Sequence, residues 1–416
     1  MATTEQTTRI EDERRETAKP GQRAGIIDTQ PSISRTLRIA LVGCGKVADQ
    51  HVAAIHRIPN CEIVSLCDWE PLMAKQLSQR FGIAQCFSDL QQMLDSVSPD
   101  IIHITTPPKS HFSLAKQCLE SGSHVYLEKP FTVTASETES LIELAQERGL
   151  NITAGHNYQF TLEMLEMRRL VGAGFLGGKP FHLESYWSYD LGDLRYASAF
   201  LGNRNHWVRQ LPGQLFHNII SHGIAKLAEF LDNDLTEIVA TAHQSEQLSS
   251  LGAQEVLDEL RVLIRDKNGT TASFCFSTQI RGLNQLRIHG PARSVTADII
   301  TGTLTRQETR SYKSYLAYFV PPMKNALEHL GNARLNIINF LRRRLYQDFG
   351  MKELIERFYD SIRTGRQPPI PYREIILTAR IMDEIFAQIY QGKSQMPGGK
   401  HQEAGQSSRI PVSSVA

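Results

Sequence analysis

RIALVGCGKVA, residues 38–48, joins a short apolar run to a glycine-rich turn and then to an amphipathic segment. Residues 39–42 read as a buried parallel strand, and Gly43, Gly45 and Ala48 fill the three small positions of a G-x-G-x-x-[G/A] turn. The first glycine permits the tight turn, the second lets backbone approach a pyrophosphate, and the third small residue lets helix pack on strand. Lys46 and Val47 open the helix, whose unpaired N–H groups and positive dipole end suit an anionic ligand. The same spacing also serves ordinary strand-to-helix packing, so its surroundings decide.

Those surroundings alternate strand and helix. A helical pattern at 47–57 ends at Pro59-Asn60, and an apolar strand follows at 61–67. Asp68 closes it, 25 positions after Gly43. An acid there is placed to accept hydrogen bonds from the adenosine ribose hydroxyls and repels a 2′-phosphate, which favours NAD over NADP. Its other reading is a cap for the helix near Pro71. The rhythm continues with a helix at 71–81, a short strand at 85–87, a helix at 89–96 and the strand DIIHIT at 100–105. Thr106-Pro107-Pro108 breaks the chain before a helix at 110–120, and the strand at 124–127 runs directly into Glu128-Lys129-Pro130. Ligands in such sheets bind beyond the carboxyl ends of the strands, so Thr105 to Pro107 and Glu128 to Pro130 share one edge with the glycine turn. Thr134-Ala-Ser-Glu137 is a capping box, Gly149 stops the helix it opens, and residues 151–154 form a sixth strand.

The chain has 416 residues, 41% of them hydrophobic, enough for two domains. Lys plus Arg (45) balance Asp plus Glu (44), so no global field recruits nucleic acid or an acidic membrane. No stretch reaches the roughly 18 apolar residues that span a bilayer. Residues 1–34 are polar, without the apolar core of a signal peptide, and residues 393–416 are rich in Gly, Ser and Gln; both read as disordered tails. Six cysteines form no CxxC pair and suit reduced thiols in a cytoplasm. A nucleotide-binding domain is expected over 35–155 and a second domain over 156–392. Strand character at 180–188, 236–243, 260–265, 270–278, 285–289 and 294–299, with a hairpin signal at Lys267-Asn268-Gly269, makes the second domain a large sheet. Helices are expected at 214–230, 351–364 and 374–390.

GCGKVA, Asp68, TPPKSH at 106–111, SGSHVYLEKP at 121–130 and FYDSIRTGRQPP at 358–369 together resemble the Gfo/Idh/MocA family of nicotinamide-dependent sugar and polyol oxidoreductases, over residues 38–391. The resemblance implies an α/β fold, a Rossmann doubly wound parallel sheet followed by an α+β domain with a large open, mostly antiparallel sheet. It implies C-terminal helices that pack back on the Rossmann domain, a cis Lys129-Pro130 bond, and a homodimer or homotetramer paired through the open sheet. His111 matches the family histidine that supports the cofactor crevice; capping its own helix is the alternative. Tyr158 falls where family members carry substrate- or cofactor-contacting side chains, although the usual Arg of that stretch is absent and Gln159 stands nearby.

Oxidising a secondary alcohol needs a base for the hydroxyl proton while hydride leaves the same carbon. Lys129 is the first candidate, since a partly desolvated ammonium drops toward neutrality. The second lies in PGQLFHNIISHG, residues 212–223, where Asn218 and His222 are four apart and share a helical face. His217 and His222, five apart, do not, and no metal-ligand pattern occurs. The stretch resembles the family's catalytic helix, in which an Asp stands four before the His; here it is Asn218. Neutral Asn218 can only orient, leaving proton transfer to His222 and Lys129. In the loop 189–212, Arg204, Trp207 and Arg209 suit an anionic, ring-bearing ligand such as a nucleotide-linked sugar, or the loop covers a neighbouring subunit. Residues 333–346, apolar on one face with Arg334, Arg342, Arg343 and Arg344, read as a surface helix or oligomer contact, with an acidic membrane surface or an acidic partner as the alternative. The expectation is an NAD-dependent dehydrogenase. A sensor of the same fold, or an enzyme oxidising transiently with tightly held NAD, are the rivals.

Overall fold

A computed structural model describes residues 35–192, 201–203, 205–250, 255–308, 312–313, 315–344 and 349–391. Both expected tails and Arg204 lie outside the described residues. The apolar runs at 37–42, 61–67, 101–104 and 124–127 are mostly buried, most fully toward their carboxyl ends, as parallel strands between helical layers must be. They are β1 (Leu37–Val42), β2 (Cys61–Cys67), β4 (Ile101–Ile104) and β5 (His124–Leu127), joined by β3 (Cys86–Phe87) and β6 (Ile152–Ala154). The helices between them are α1 (Lys46–Ile55), α2 (Pro71–Phe81), α3 (Leu90–Val97), α4 (His111–Glu120) and α5 (Ala135–Glu147). The strand order is β3-β2-β1-β4-β5-β6, all parallel. The order reverses between β1 and β4, so the Rossmann crevice opens there, beyond Val42 and Ile104.

The second half alternates apolar and polar residues, and so folds as a sheet with one covered face. α6 (Leu162–Gly172) leads to β7 (His182–Ser188), β8 (Leu235–His243), β9 (Glu259–Asp266), β10 (Thr271–Ser277), β11 (Asn284–His289), β12 (Arg293–Asp298) and β13 (Thr303–Glu308). Their order is β13-β12-β11-β7-β10-β9-β8, and only the β7/β10 pair is parallel. The 267–269 hairpin is closed by Asp266, whose Oδ1 accepts from Asn268 N and Thr270 N, with Gly269 at φ +83°. β13 was not expected: TLTRQE is a polar edge strand with little alternation to read.

One helix was expected at 214–230. It is two, α7 (Gln214–Ile219) and α8 (Ser221–Ala228), and α8 lies on the covered face of the sheet. α9 (Glu246–Ser250) is a short excursion. Of the helix expected at 333–346, residues 333–341 are the far end of a 26-residue helix, α10 (Leu316–Leu341), which runs through Pro321 and Pro322; Arg342, Arg343 and Arg344 lie past its end, with Arg343 at φ +54°, and residues 345–346 fall outside the described residues. Those prolines conceal its first turns from a sequence reading. α11 (Phe349–Thr364) brings Leu354, Ile355, Phe358 and Tyr359 into the core of the Rossmann sheet. α12 (Tyr372–Phe386) brings Ile381, Met382 and Ile385 into the core of the second sheet. Among the described residues no helix is long and apolar enough to cross a membrane.

Candidate active site

The glycine turn is dictated by space. Gly43 sits at φ +92°, and a Cβ there would lie 2.8 Å from Thr106 N. A Cβ on Gly45, in contrast, meets nothing within 4 Å, so the backbone is open on the side a ligand would approach. Gly45 is also the N-cap of α1 and supplies no side-chain cap. Lys46 and Val47 form the first turn beside it, and Ala48 is fully buried against the sheet. Asp68 stands at the end of β2 with both carboxylate oxygens engaged by backbone, Oδ2 accepting from Cys44 N (2.7 Å) and Oδ1 from Glu70 N (2.9 Å). It braces the glycine turn and caps the turn toward α2 at once, while its charge stays at the strand's edge. Trp69, 88% exposed, follows it. Sequence reading passed over this residue, although a large aromatic beside the strand-ending acid was a usable signal.

Thr105 and the Pro107 turn form the opposite wall. Thr105 Oγ1 donates to Gly43 O (2.6 Å), tying β4 to the glycine turn. His111 is fully buried, with Nε2 2.8 Å from Thr106 O and Nδ1 3.0 Å from Pro130 O. It therefore pins the Thr106-Pro107-Pro108 segment to the Glu128-Lys129-Pro130 segment, whose Lys129-Pro130 bond is cis. Burial lowers the pKa of His111, and its carbonyl partners pull the other way.

Behind the crevice runs a buried polar chain that the sequence did not disclose. Glu128 Oε1 meets His51 Nε2 (3.0 Å), His51 Nδ1 meets His103 Nδ1 (2.8 Å), and His103 Nε2 meets Tyr359 OH (2.7 Å). One proton assignment satisfies every link with neutral rings: Tyr359 donates to His103, His103 to His51, and His51 to Glu128. Burial raises the Glu128 carboxyl, but the hydrogen bond from His51, with the neighbouring Lys129, carries it below its usual range. Glu128 Oε2 accepts from Lys129 N (3.0 Å), which fixes the backbone of the candidate base.

Lys129 reaches across to the second domain. Its Nζ donates to the backbone carbonyl of Asn218 (3.0 Å), in the last turn of α7, where carbonyls lack intrahelical donors. Burial lowers the lysine's pKa, opposed by Glu128. Asn218 thus engages Lys129 through its main chain. His222, on α8, is 8% exposed and held by aromatic packing: its ring stacks on Trp187 (5.4 Å, 27°) and meets Tyr158 edge-on (4.8 Å). Its Nδ1 has no hydrogen-bond partner among the described residues. Burial, then the proximity of Lys129, His156 and Lys226, hold it well below the usual histidine range, so the ring is neutral at physiological pH. Lys226, one turn on, is fully buried, donates to Asn284 Oδ1 (2.8 Å) and lies 5.0 Å from the Trp187 ring centroid. Trp187 and Lys226 were not anticipated. Trp207 and Arg209 occupy a turn at 207–210 that Lys109 joins to the Pro107 wall by donating to Gln210 Oε1 (2.9 Å). Arg209 donates to Leu201 O. Among the described residues no group of His, Cys, Asp or Glu could hold a metal.

Residues 37–156 match the family described as an oxidoreductase family with an NAD-binding Rossmann fold, and residues 164–296 match its C-terminal domain. Among curated relatives, a D-glucoside 3-dehydrogenase of Escherichia coli K12 is 32% identical over 145 residues, 35% of this chain and 41% of that protein. The chain thus spans about two fifths of that relative's length. A D-apiose dehydrogenase of Paraburkholderia graminis is 25% identical over 280 residues, 67% of this chain and 70% of that one. Among solved structures, the WlbA dehydrogenase of Bordetella pertussis, in complex with NADH and UDP-GlcNAcA, superposes with TM-score 0.69 at 18% identity, covering 86% of this chain and 96% of that one. The myo-inositol 2-dehydrogenase of Lactobacillus plantarum superposes with TM-score 0.65 at 15% identity, covering 86% and 98%.

Proposed function

From the chain's membership of the Gfo/Idh/MocA oxidoreductase family, we propose that it is an NAD-dependent dehydrogenase acting on a carbinol of a sugar, cyclitol or nucleotide-linked sugar. The observation that carries this reading is the meeting of Lys129 with the α7–α8 break that bears His222, at the edge where the glycine turn opens. Gly45, the first turn of α1, Asp68 and the exposed Trp69 fit a dinucleotide, with open backbone for the pyrophosphate, an acid for the ribose and an indole face for the adenine. The acid favours NAD over NADP. When bound, the nicotinamide supplies the hydride acceptor or donor.

Desolvation lowers the pKa of Lys129 and so favours the free amine; in that form it takes the hydroxyl proton, while neutral His222 hydrogen-bonds the same hydroxyl and shares the proton. Glu128 fixes the lysine from behind. Tyr158 shapes the wall beside His222, and Trp207 with Arg209 offers an aromatic and cationic rim that suits a nucleotide-linked sugar. Six cysteines without a disulfide suit a reducing cytoplasm.

The test is NADH absorbance on mixing protein and NAD with sugars, inositols and nucleotide sugars, alongside Lys129→Ala. One class of substrate yields NADH, and the variant loses about 10²- to 10⁴-fold in kcat, the span of general base catalysis. Quenching of Trp69 fluorescence by NAD with no turnover on any panel member would replace the enzyme with a sensor.

A further inference from the structure

α10 is amphipathic the wrong way round for a helix that serves its own core. Its polar side faces the protein: Asn332 Nδ2 donates to Leu304 O (2.8 Å) and Asn336 Nδ2 to Thr301 O (2.9 Å), so side-chain amides cover the end of the sheet. Glu328 pairs with Arg306 and Lys324 with Glu308 on the same strand. Only Asn339 of the helix is buried. The apolar side faces outward, with Met323 63% exposed, Leu327 64%, Leu330 67%, Ile337 62% and Leu341 73%.

The outward residues keep a strict spacing. Leu316, Val320, Met323, Leu327, Leu330, Arg334, Ile337 and Leu341 alternate steps of four and three along the helix, the 3.5-residue period of a seam that meets another helix. A lipid surface asks only for a broad apolar stripe and disfavours a cation in its middle, whereas Arg334 sits inside this seam. The positions flanking it include Ala317, Ala326, Gly331 and Ala333, small enough for close approach. Gly331 in mid-helix costs about 1 kcal/mol against alanine, and a Cβ there would meet nothing within 4 Å of its own chain. Lys324 is the one charge in the flanks, and Glu308 already neutralises it; like-charge repulsion therefore does not bar one copy of the helix from another.

We propose that α10 pairs with α10 of a second copy of this chain, antiparallel about a two-fold axis through the helix midpoint. In that register Leu327 meets Leu330 of the second copy, Val320 meets Ile337, Leu316 meets Leu341, and the stem of Arg334 lies on Met323. A parallel pair would set Arg334 against its own copy; the antiparallel pair parts them by 11 residues, about 16 Å at 1.5 Å per residue, beyond the Debye length of about 8 Å. Large apolar side chains this exposed present roughly 100 Å² each, so the seam and the exposed Phe319 and Phe340 together approach the ~800 Å² per partner of a standard stable interface.

Light scattering on the full chain, with Leu327→Glu plus Leu330→Glu as the variant, tests this. Both sites are solvent-exposed, so the variant keeps its circular dichroism and unfolding midpoint. The expected result is an assembly whose mass halves in the variant, whatever other interface the chain uses. Arg334→Cys mixed with Met323→Cys forms a disulfide-linked pair on oxidation, and Met323→Cys alone does not. An unchanged mass in the folded variant, a monomeric wild type, or wild type that sediments with phosphatidylserine vesicles while remaining monomeric would each overturn the proposal. Cross-linking by Met323→Cys alone would overturn the antiparallel register.

Discussion

Lys129 is balanced between two influences that can be adjusted separately. Burial pulls its pKa down and Glu128 pulls it up, so the oxidation rate rises with pH to a plateau whose midpoint lies below that of an ordinary lysine, as a base active in its neutral form requires. Glu128→Gln removes the opposing charge and moves that midpoint to lower pH. Asn218→Asp places a carboxylate beside the carbonyl that holds Nζ and moves it to higher pH. Profiles of kcat/KM for the three proteins measure both shifts, and a midpoint unmoved by either substitution would remove Lys129 as the titrating base. The sequence could offer Lys129 and His222 as candidates because each stands in a short, recognisable string. It could not disclose His51, His103 and Tyr359, which lie 52 and 256 positions apart and meet only after folding. Nor could it show that Asn218 engages the lysine through its main chain, since a carbonyl leaves no trace in residue identity.

The Rossmann elements were legible because parallel strands buried on both faces are written as continuous apolar runs, with glycine and proline between them. α7 and α8 merged into one expected helix because their residues keep helical spacing across Ile220, and β13 was missed because an edge strand needs few apolar residues. α10 was cut short by its prolines. How α11 grips the Rossmann sheet was illegible for a different reason, since one of its anchors is polar. Tyr359 is fully buried on α11 and donates to His103 in the middle of β4. Tyr359→Phe leaves the ring nitrogen of His103 buried without its donor, a loss of about 1–3 kcal/mol. Urea denaturation should show a lower midpoint with the same slope, and a midpoint within error of wild type would mean that the chain from Glu128 to Tyr359 adds nothing to the docking of this helix.

Across the whole molecule, buried histidines set the acid limit. Burial brings the pKa of His156 and His217 to about 4 and holds His103 and His222 well below the usual range. A histidine whose folded pKa is depressed stabilises the fold above its unfolded pKa near 6.5, and that stability is lost as pH falls through the folded value. The unfolding midpoint should therefore drop steeply between about pH 6.5 and 4, with His156 and His217 each contributing on the order of 3 kcal/mol. His217→Leu should flatten that limb. Glu374 works in the opposite sense. Burial and the charge of Glu229 raise it to about 7, so the stability it offers is present below its unfolded pKa and lost as pH rises toward 7. Glu374→Gln should raise the midpoint at pH 8 and leave the acid limb intact, and thermal melts across this range check both. The bond from Lys129 to the Asn218 carbonyl also has a consequence for substitution at that position. Every amino acid carries that carbonyl, so the anchor of the lysine is indifferent to which residue occupies position 218. An exchange of amide for acid at that position therefore changes the charge beside the lysine while leaving its main-chain acceptor in place.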